Sequence, residues 1–221
     1  PTGPVSVEIP IDIQSTFIPM PTDLSPLPIP VAVPTPESLD LMAKRLVGAK
    51  RPMLWLGGGA RHAGPQVKRL LAMGVGVITS TQGRGVVNED DERCLGAFSQ
   101  NKRVEQFLQT CDALLIAGSR LRSNETFKYA LKLPRNTLRI DANPAIEGRS
   151  YASELFICGD AALALEGLAD RLEGRLHTDP NFLNELKAVR EQSRSQLVAD
   201  LGPYSAMVEQ LQASTGRNFS W

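Results

Sequence analysis

The sequence predicts an α/β domain built on a doubly wound, mostly parallel sheet of about six strands with helices on both faces. Three observations carry this. Short apolar runs recur at 53–56, 75–79, 113–117, 137–140 and 155–157 without polar alternation, as strands buried on both faces require. The segments between them place apolar residues at helical spacing. Small, turn-forming residues close the runs, most visibly Gly57-Gly58-Gly59, where a strand hands over to a helix. Together these describe a Rossmann-like alternation.

Taken in order, the chain opens on a stretch that cannot hold a helix or a central strand, because ten of its sixteen prolines lie between Pro1 and Pro36. Within it, Val5-Ser6-Val7-Glu8-Ile9 alternates in the β manner between Gly3-Pro4 and Pro10, the pattern of a short strand whose parent sheet lies elsewhere. Thr35-Pro36-Glu37 then supplies a cap, a first-turn proline and an early acid for a helix with Leu39, Met42, Ala43, Leu46 and Val47 on one face. Further helices are expected over 65–73, 102–109 and 161–172, and a short sixth strand over 94–98. Beyond the alternation come a charged amphipathic helix over 180–200, with Phe182, Leu186, Val189 and Leu197, and a shorter one over 203–214. The expected organisation is a terminal strand over 1–14, a linker over 15–36, the α/β domain over 37–174 and a helical linker over 175–221.

Composition removes several function classes. The 221 residues carry 24 basic and 24 acidic side chains, with no basic excess to attract nucleic acid or an anionic membrane. No apolar stretch approaches a membrane span, and no signal peptide opens the chain, so a cytoplasmic protein is expected. Cys94, Cys111 and Cys158 are scattered and only two histidines could join them, which argues for buried thiols in a reducing compartment rather than a zinc site. A first residue other than methionine and an ending on Asn218-Phe219-Ser220-Trp221 suggest a piece of something longer.

In an open α/β sheet, ligands bind beyond the carboxyl ends of the strands. The residues there are Gly57-Gly58-Gly59-Ala60-Arg61, Thr79 to Gly85, Gly118-Ser119-Arg120, Asp141-Ala142-Asn143 and Gly159-Asp160. Small residues, hydroxyls, arginines and aspartates on one edge suit a phosphate-bearing ligand, with glycine amides and arginine forks as donors. The same residues also serve turns that hold nothing. The spacing of Gly57, Gly59 and Gly64 does not form a dinucleotide fingerprint. No catalytic constellation emerges: His62 and His177 lack partners, and Glu89-Asp90-Asp91-Glu92 reads as a solvated loop rather than a metal site.

Several segments in one order resemble the central domain of thiamine-diphosphate-dependent enzymes of the acetolactate synthase, benzoylformate decarboxylase and pyruvate oxidase superfamily. The most specific is Gly3-Pro4-Val5-Ser6-Val7-Glu8-Ile9-Pro10-Ile11-Asp12-Ile13-Gln14, which is similar to the closing strand of that family's pyrimidine-binding domain. Arg51 to Ala60, Thr79 to Gly85, Leu95-Gly96, Asp112 to Leu121, Leu138 to Pro144 and Cys158 to Ala161 follow in family order.

The resemblance implies a scaffold domain of an enzyme acting on 2-oxo acids or aldehydes, by decarboxylation or carboligation, and assembled as a homodimer or homotetramer. Thiamine diphosphate and magnesium would be held by flanking domains of the same polypeptide, since Gly159-Asp160-Ala161 is not the family's G-D-G motif. The piece alone would be inactive. By analogy with members that carry FAD or ADP here, Gly58, Gly59, Thr81, Gln82, Gly118, Arg120, Asp141 and Asp160 would line a nucleotide. FAD-binding synthases continue after G-x-R with a phenylalanine, two aspartates and an arginine, whereas this chain has Leu121-Arg122-Ser123-Asn124, a departure that suits a different nucleotide or an empty site. The alternatives are a stand-alone nucleotide- or flavin-binding electron-transfer module and a ligand-free interaction domain.

Overall fold

A computed structural model describes residues 5–23, 25–26 and 28–215. Gly3-Pro4 and the Asn218–Trp221 ending lie outside the described residues. Five strands form one parallel sheet: β1 (Pro52–Leu56), β2 (Gly76–Thr79), β3 (Ala113–Ala117), β4 (Thr137–Asp141) and β5 (Leu155–Cys158), in the order β2-β1-β3-β4-β5. Helices α1 (Pro36–Val47), α2 (Gly64–Ala72), α3 (Lys102–Gln109), α4 (Ala161–Leu172), α5 (Phe182–Leu201) and α6 (Tyr204–Thr215) complete it.

The continuous apolar runs have the predicted cause. Along β1, Leu54 and Leu56 face a core shared with α1, α2 and α4, while Met53 and Trp55 face a second core shared with α3 and α5. Both faces of the strand are dry, so polar alternation has no place to appear. Helix starts follow their caps: the Thr35 hydroxyl accepts from the Ser38 amide at 3.2 Å and the Asn101 side chain from the Arg103 amide at 2.9 Å.

Two expectations about elements change. The sixth strand reduces to one parallel bridge, Val77 with Cys94, extended only by a bond from the Thr79 amide to Gly96 O at 3.2 Å, and Gly96 sits at φ +75°, outside strand geometry. The apolar stripe of α5 covers only its first half: Phe182 and Leu186 are buried, whereas Leu197 is 49% exposed. Val5 to Ile9 pair with no strand among the described residues, and Val5, Val7 and Ile9 are exposed. No helix among the described residues is long and apolar enough to cross a membrane.

The buried-thiol expectation holds for two cysteines and fails for the third. Cys94 and Cys111 are buried, whereas Cys158, last residue of the edge strand β5, is exposed although Ile157 beside it is buried. The acidic run at 89–92 is less solvated than a free loop. Arg84 forks onto Glu89 at 2.8 and 2.9 Å and Lys187 of α5 reaches Glu92 at 2.6 Å. Among the described residues no histidine, cysteine or carboxylate group of three could hold a metal.

Candidate nucleotide cleft

Strand order reverses between β1 and β3: the chain leaves β1 toward β2 on one side and returns to β3 on the other. Connections diverge there and open a crevice at the strands' carboxyl ends. A cleft of about 390 Å³ occupies this position.

Its floor is glycine because two backbones meet. The Gly57 amide donates to Ala117 O at 2.9 Å and the Gly59 amide to Gly118 O at 2.9 Å. A Cβ on Gly57 would stand 2.1 Å from Gly118 O, and one on Gly59 would stand 2.8 Å from Gly118 Cα. Gly118 itself sits at φ +61°. Gly57 and Gly59 therefore serve close strand-end packing, and of the glycine amides expected to face an anion these two bond neighbouring carbonyls instead.

Gly58, Gly59, Gln82, Gly118, Arg120, Asp141 and Asp160 all line the cleft, as the sequence reading grouped them. Thr81 does not; its amide donates instead to Glu125 Oε1 at 3.3 Å. His62 is exposed outside the cleft. Glu125 and Ile146 belong to the lining without any signal in the sequence, since each ends a single 3₁₀ turn, Ser123–Glu125 and Pro144–Ile146, too short for periodicity to mark.

The charge is arranged unevenly. Arg61, Arg120 and Arg122 line the cleft, and none makes an ion pair or a side-chain hydrogen bond with another described residue. Arg69, by contrast, meets Glu166, Asp170 and Glu173, and Arg51 meets Asp179 and Glu185, while Arg103, Arg135, Arg149 and Arg194 outside the cleft are as unpaired as its own arginines. The aspartates are half-occupied by turns. Asp141 Oδ1 accepts from the Asn143 amide at 2.9 Å, and Asp160 Oδ1 caps α4 by accepting from Ala162 and Leu163 at 2.9 and 3.0 Å. Burial raises the Asp141 carboxyl above the ordinary aspartate range, against the Asn143 amide and the positive charges of Arg139 and Arg120.

The comparisons with known proteins agree with this architecture. The family model for the thiamine pyrophosphate enzyme central domain matches residues 39–168. The chain belongs to this family. Acetolactate synthase 1, chloroplastic, from Zea mays is 32% identical over 182 residues, which cover 78% of this chain and 28% of that protein. A probable 2-ketoarginine decarboxylase of Pseudomonas aeruginosa is 29% identical over 171 residues, covering 76% of this chain and 31% of the relative. This thiamine pyrophosphate enzyme central domain thus spans about three-tenths of the length of those relatives. A solved structure from Mycobacterium smegmatis, named for thiamin diphosphate dependence, shares its fold at a TM-score of 0.53 and 24% identity, over 64% of this chain and 28% of that one.

The central domain's own residues do not fit a diphosphate–metal site. Asp160 is a helix cap, and no described group of ligands converges. What the cleft can do is bind an anion with arginine forks and place carboxylate acceptors beside it.

Proposed function

We propose that this domain is the scaffold of a cytoplasmic thiamine-diphosphate-dependent enzyme acting on 2-oxo acids or aldehydes, and that its cleft binds an accessory adenine nucleotide, ADP or FAD. Thiamine diphosphate and magnesium then belong to flanking domains of the same polypeptide, in a homodimer or homotetramer. The 221-residue piece, divided at 14, 36 and 174 as the sequence suggests, is inactive by itself.

The observation that carries the nucleotide reading is the set Arg61, Arg120 and Arg122, uncommitted around a cleft at the sheet's switch point. They share the cleft with Glu125, Asp141 and Asp160 but form no ion pair or side-chain hydrogen bond, so their guanidinium donors are open to phosphate oxygens. Arg61 and Arg120 would meet phosphate oxygens, while the second oxygens of Asp141 and Asp160 would accept from ribose or adenine. Arg122 stands where FAD-binding synthases have an aspartate, and this favours ADP over FAD.

The test is to denature the purified complete enzyme and identify any released nucleotide by chromatography, then titrate the stripped protein with ADP and with FAD calorimetrically. ADP release or ADP heat that falls at least ~10-fold in affinity in an Arg120→Met/Arg122→Met double variant supports the reading. Neither flavin absorbance, nor released nucleotide, nor binding heat would overturn it.

A further inference from the structure

Arg139 is the third residue of β4, in register between Ile116 and Phe156 in the body of the sheet, and only 1% of it is exposed. A guanidinium in that place gives up its hydration, and no carboxylate lies within salt-bridge distance among the described residues. It is committed instead to two carbonyls. Nη2 donates to Ser119 O at 2.6 Å and Nη1 to Ile146 O at 3.4 Å, while Nε has no partner.

Ser119 belongs to the loop after β3 and Ile146 to the loop after β4, and both residues line the cleft. Asp141, two positions along β4, projects to the same face as Arg139 and into the same cleft. We infer that Arg139 is the positioning residue of the cleft: from beneath, it ties the two wall-forming loops together and supplies the positive charge that keeps Asp141 an acceptor. The inference rests on the reading that the cleft takes a ligand. An aliphatic chain would fill the same volume without the desolvation, so the return on burying this cation lies in the carbonyls it holds and the carboxylate above it. The other charged groups facing Asp141 across the cleft are Arg61, Arg120, Arg122, Glu125 and Asp160.

The test uses the full 221-residue chain and the variants Arg139→Met, Arg139→Lys and Arg139→Gln. Carbon-detected NMR follows the titration of the Asp141 carboxyl, with Asp141→Asn to assign it, and amide exchange follows Leu121 and Ile146. Arg139→Met is expected to move the Asp141 midpoint up by about one pH unit and to speed exchange at both amides about tenfold. Arg139→Lys keeps the charge but not the fork, so the midpoint stays near that of the parent while both amides still exchange faster. If Arg139→Met does not fold, Arg139→Gln decides by the same midpoint, since it removes the charge and leaves donors in place. An Asp141 midpoint unmoved in the uncharged variant overturns the assignment. If the parent binds neither ADP nor FAD, the nucleotide reading falls, and the midpoint and exchange still judge Arg139 on their own.

Discussion

Gly57 and Gly118 touch backbone to backbone where β1 and β3 end, and a Cβ on Gly57 would lie 2.1 Å from Gly118 O and 2.4 Å from Ser119 Cα. Both obstacles are main chain of a sheet-anchored turn, so no rotamer change relieves the clash. Gly57→Ala should therefore destabilise by at least ~3 kcal/mol, the upper end of overpacking costs. Gly48→Ala is the control. Gly48 has open space around it and sits at φ −81°, so alanine there should stabilise by about 0.4–1 kcal/mol through the unfolded chain. Urea midpoints of the two variants, compared at equal slope, check both signs.

Arg51 fastens α5 to the sheet. Its guanidinium donates to Asp179 at 3.3 Å, Glu185 at 2.5 Å and Thr110 Oγ1 at 2.9 Å, and it lies near the rings of Phe107 and Phe182, which stack 5.8 Å apart. The neighbouring carboxylates hold it firmly charged. Because Asp179 and Glu185 keep partial access to water, Arg51→Ala should cost about 1–3 kcal/mol rather than the full penalty of a buried pair. Arg51→Lys should recover little of it, since one compact ammonium lacks the planar, two-nitrogen span with which the guanidinium reaches these acceptors. Limited proteolysis within α5, faster in both variants than in the parent, is the measurement.

Thiol reactivity should separate the three cysteines. Burial pushes Cys94 up to about 11 and Cys111 up to about 12, so neither offers thiolate at neutral pH. Cys158 is exposed at the sheet edge. Iodoacetamide at pH 8 followed by peptide mass spectrometry should modify Cys158 alone in the folded chain and all three after denaturation. Modification of Cys94 at the rate of Cys158 would contradict the burial.

Glu105 links α3 to the loop before β4. Its carboxylate accepts from Lys102 Nζ at 2.7 Å and from the Lys132 amide at 3.0 Å, and these bonds hold its carboxyl below the ordinary glutamate value. A folded pKa below the unfolded one means the stabilisation is present above about pH 4.3, the unfolded value, and is lost as pH falls through the folded value. Glu105→Gln should therefore lower the urea midpoint at pH 7 and approach the parent near pH 3. A gap between the two proteins that is constant with pH would show that the bonds do not depend on the charge.

The α/β alternation was legible because burial on both faces leaves its mark residue by residue: 113–117 and 161–172 read directly as Ala113–Ala117 and Ala161–Leu172. Strand ends were equally visible, since turns there need Gly, Asp and Asn, and Gly58, Gly59, Gln82, Gly118, Arg120, Asp141 and Asp160 do gather at one cleft. The order of weak motifs also pointed to the family that the comparisons then showed.

Other features depended on contacts far apart in sequence. A run of three glycines is compatible with an anion cradle or with strand-end packing, and only the approach of Gly118, some sixty positions on, shows that Gly57 and Gly59 serve packing. An arginine inside the apolar run 137–140 marks an anomaly, but its role depends on which carbonyls it reaches, and these come from two other loops. Glu125 and Ile146 reach the cleft from loops whose paths are set by packing rather than by periodicity. By itself the sequence determined which segments are buried and where the chain turns, because hydrophobic period and turn chemistry are local. The tertiary structure decided which arginines are paired and which stand free, because a counter-charge is a neighbour in space.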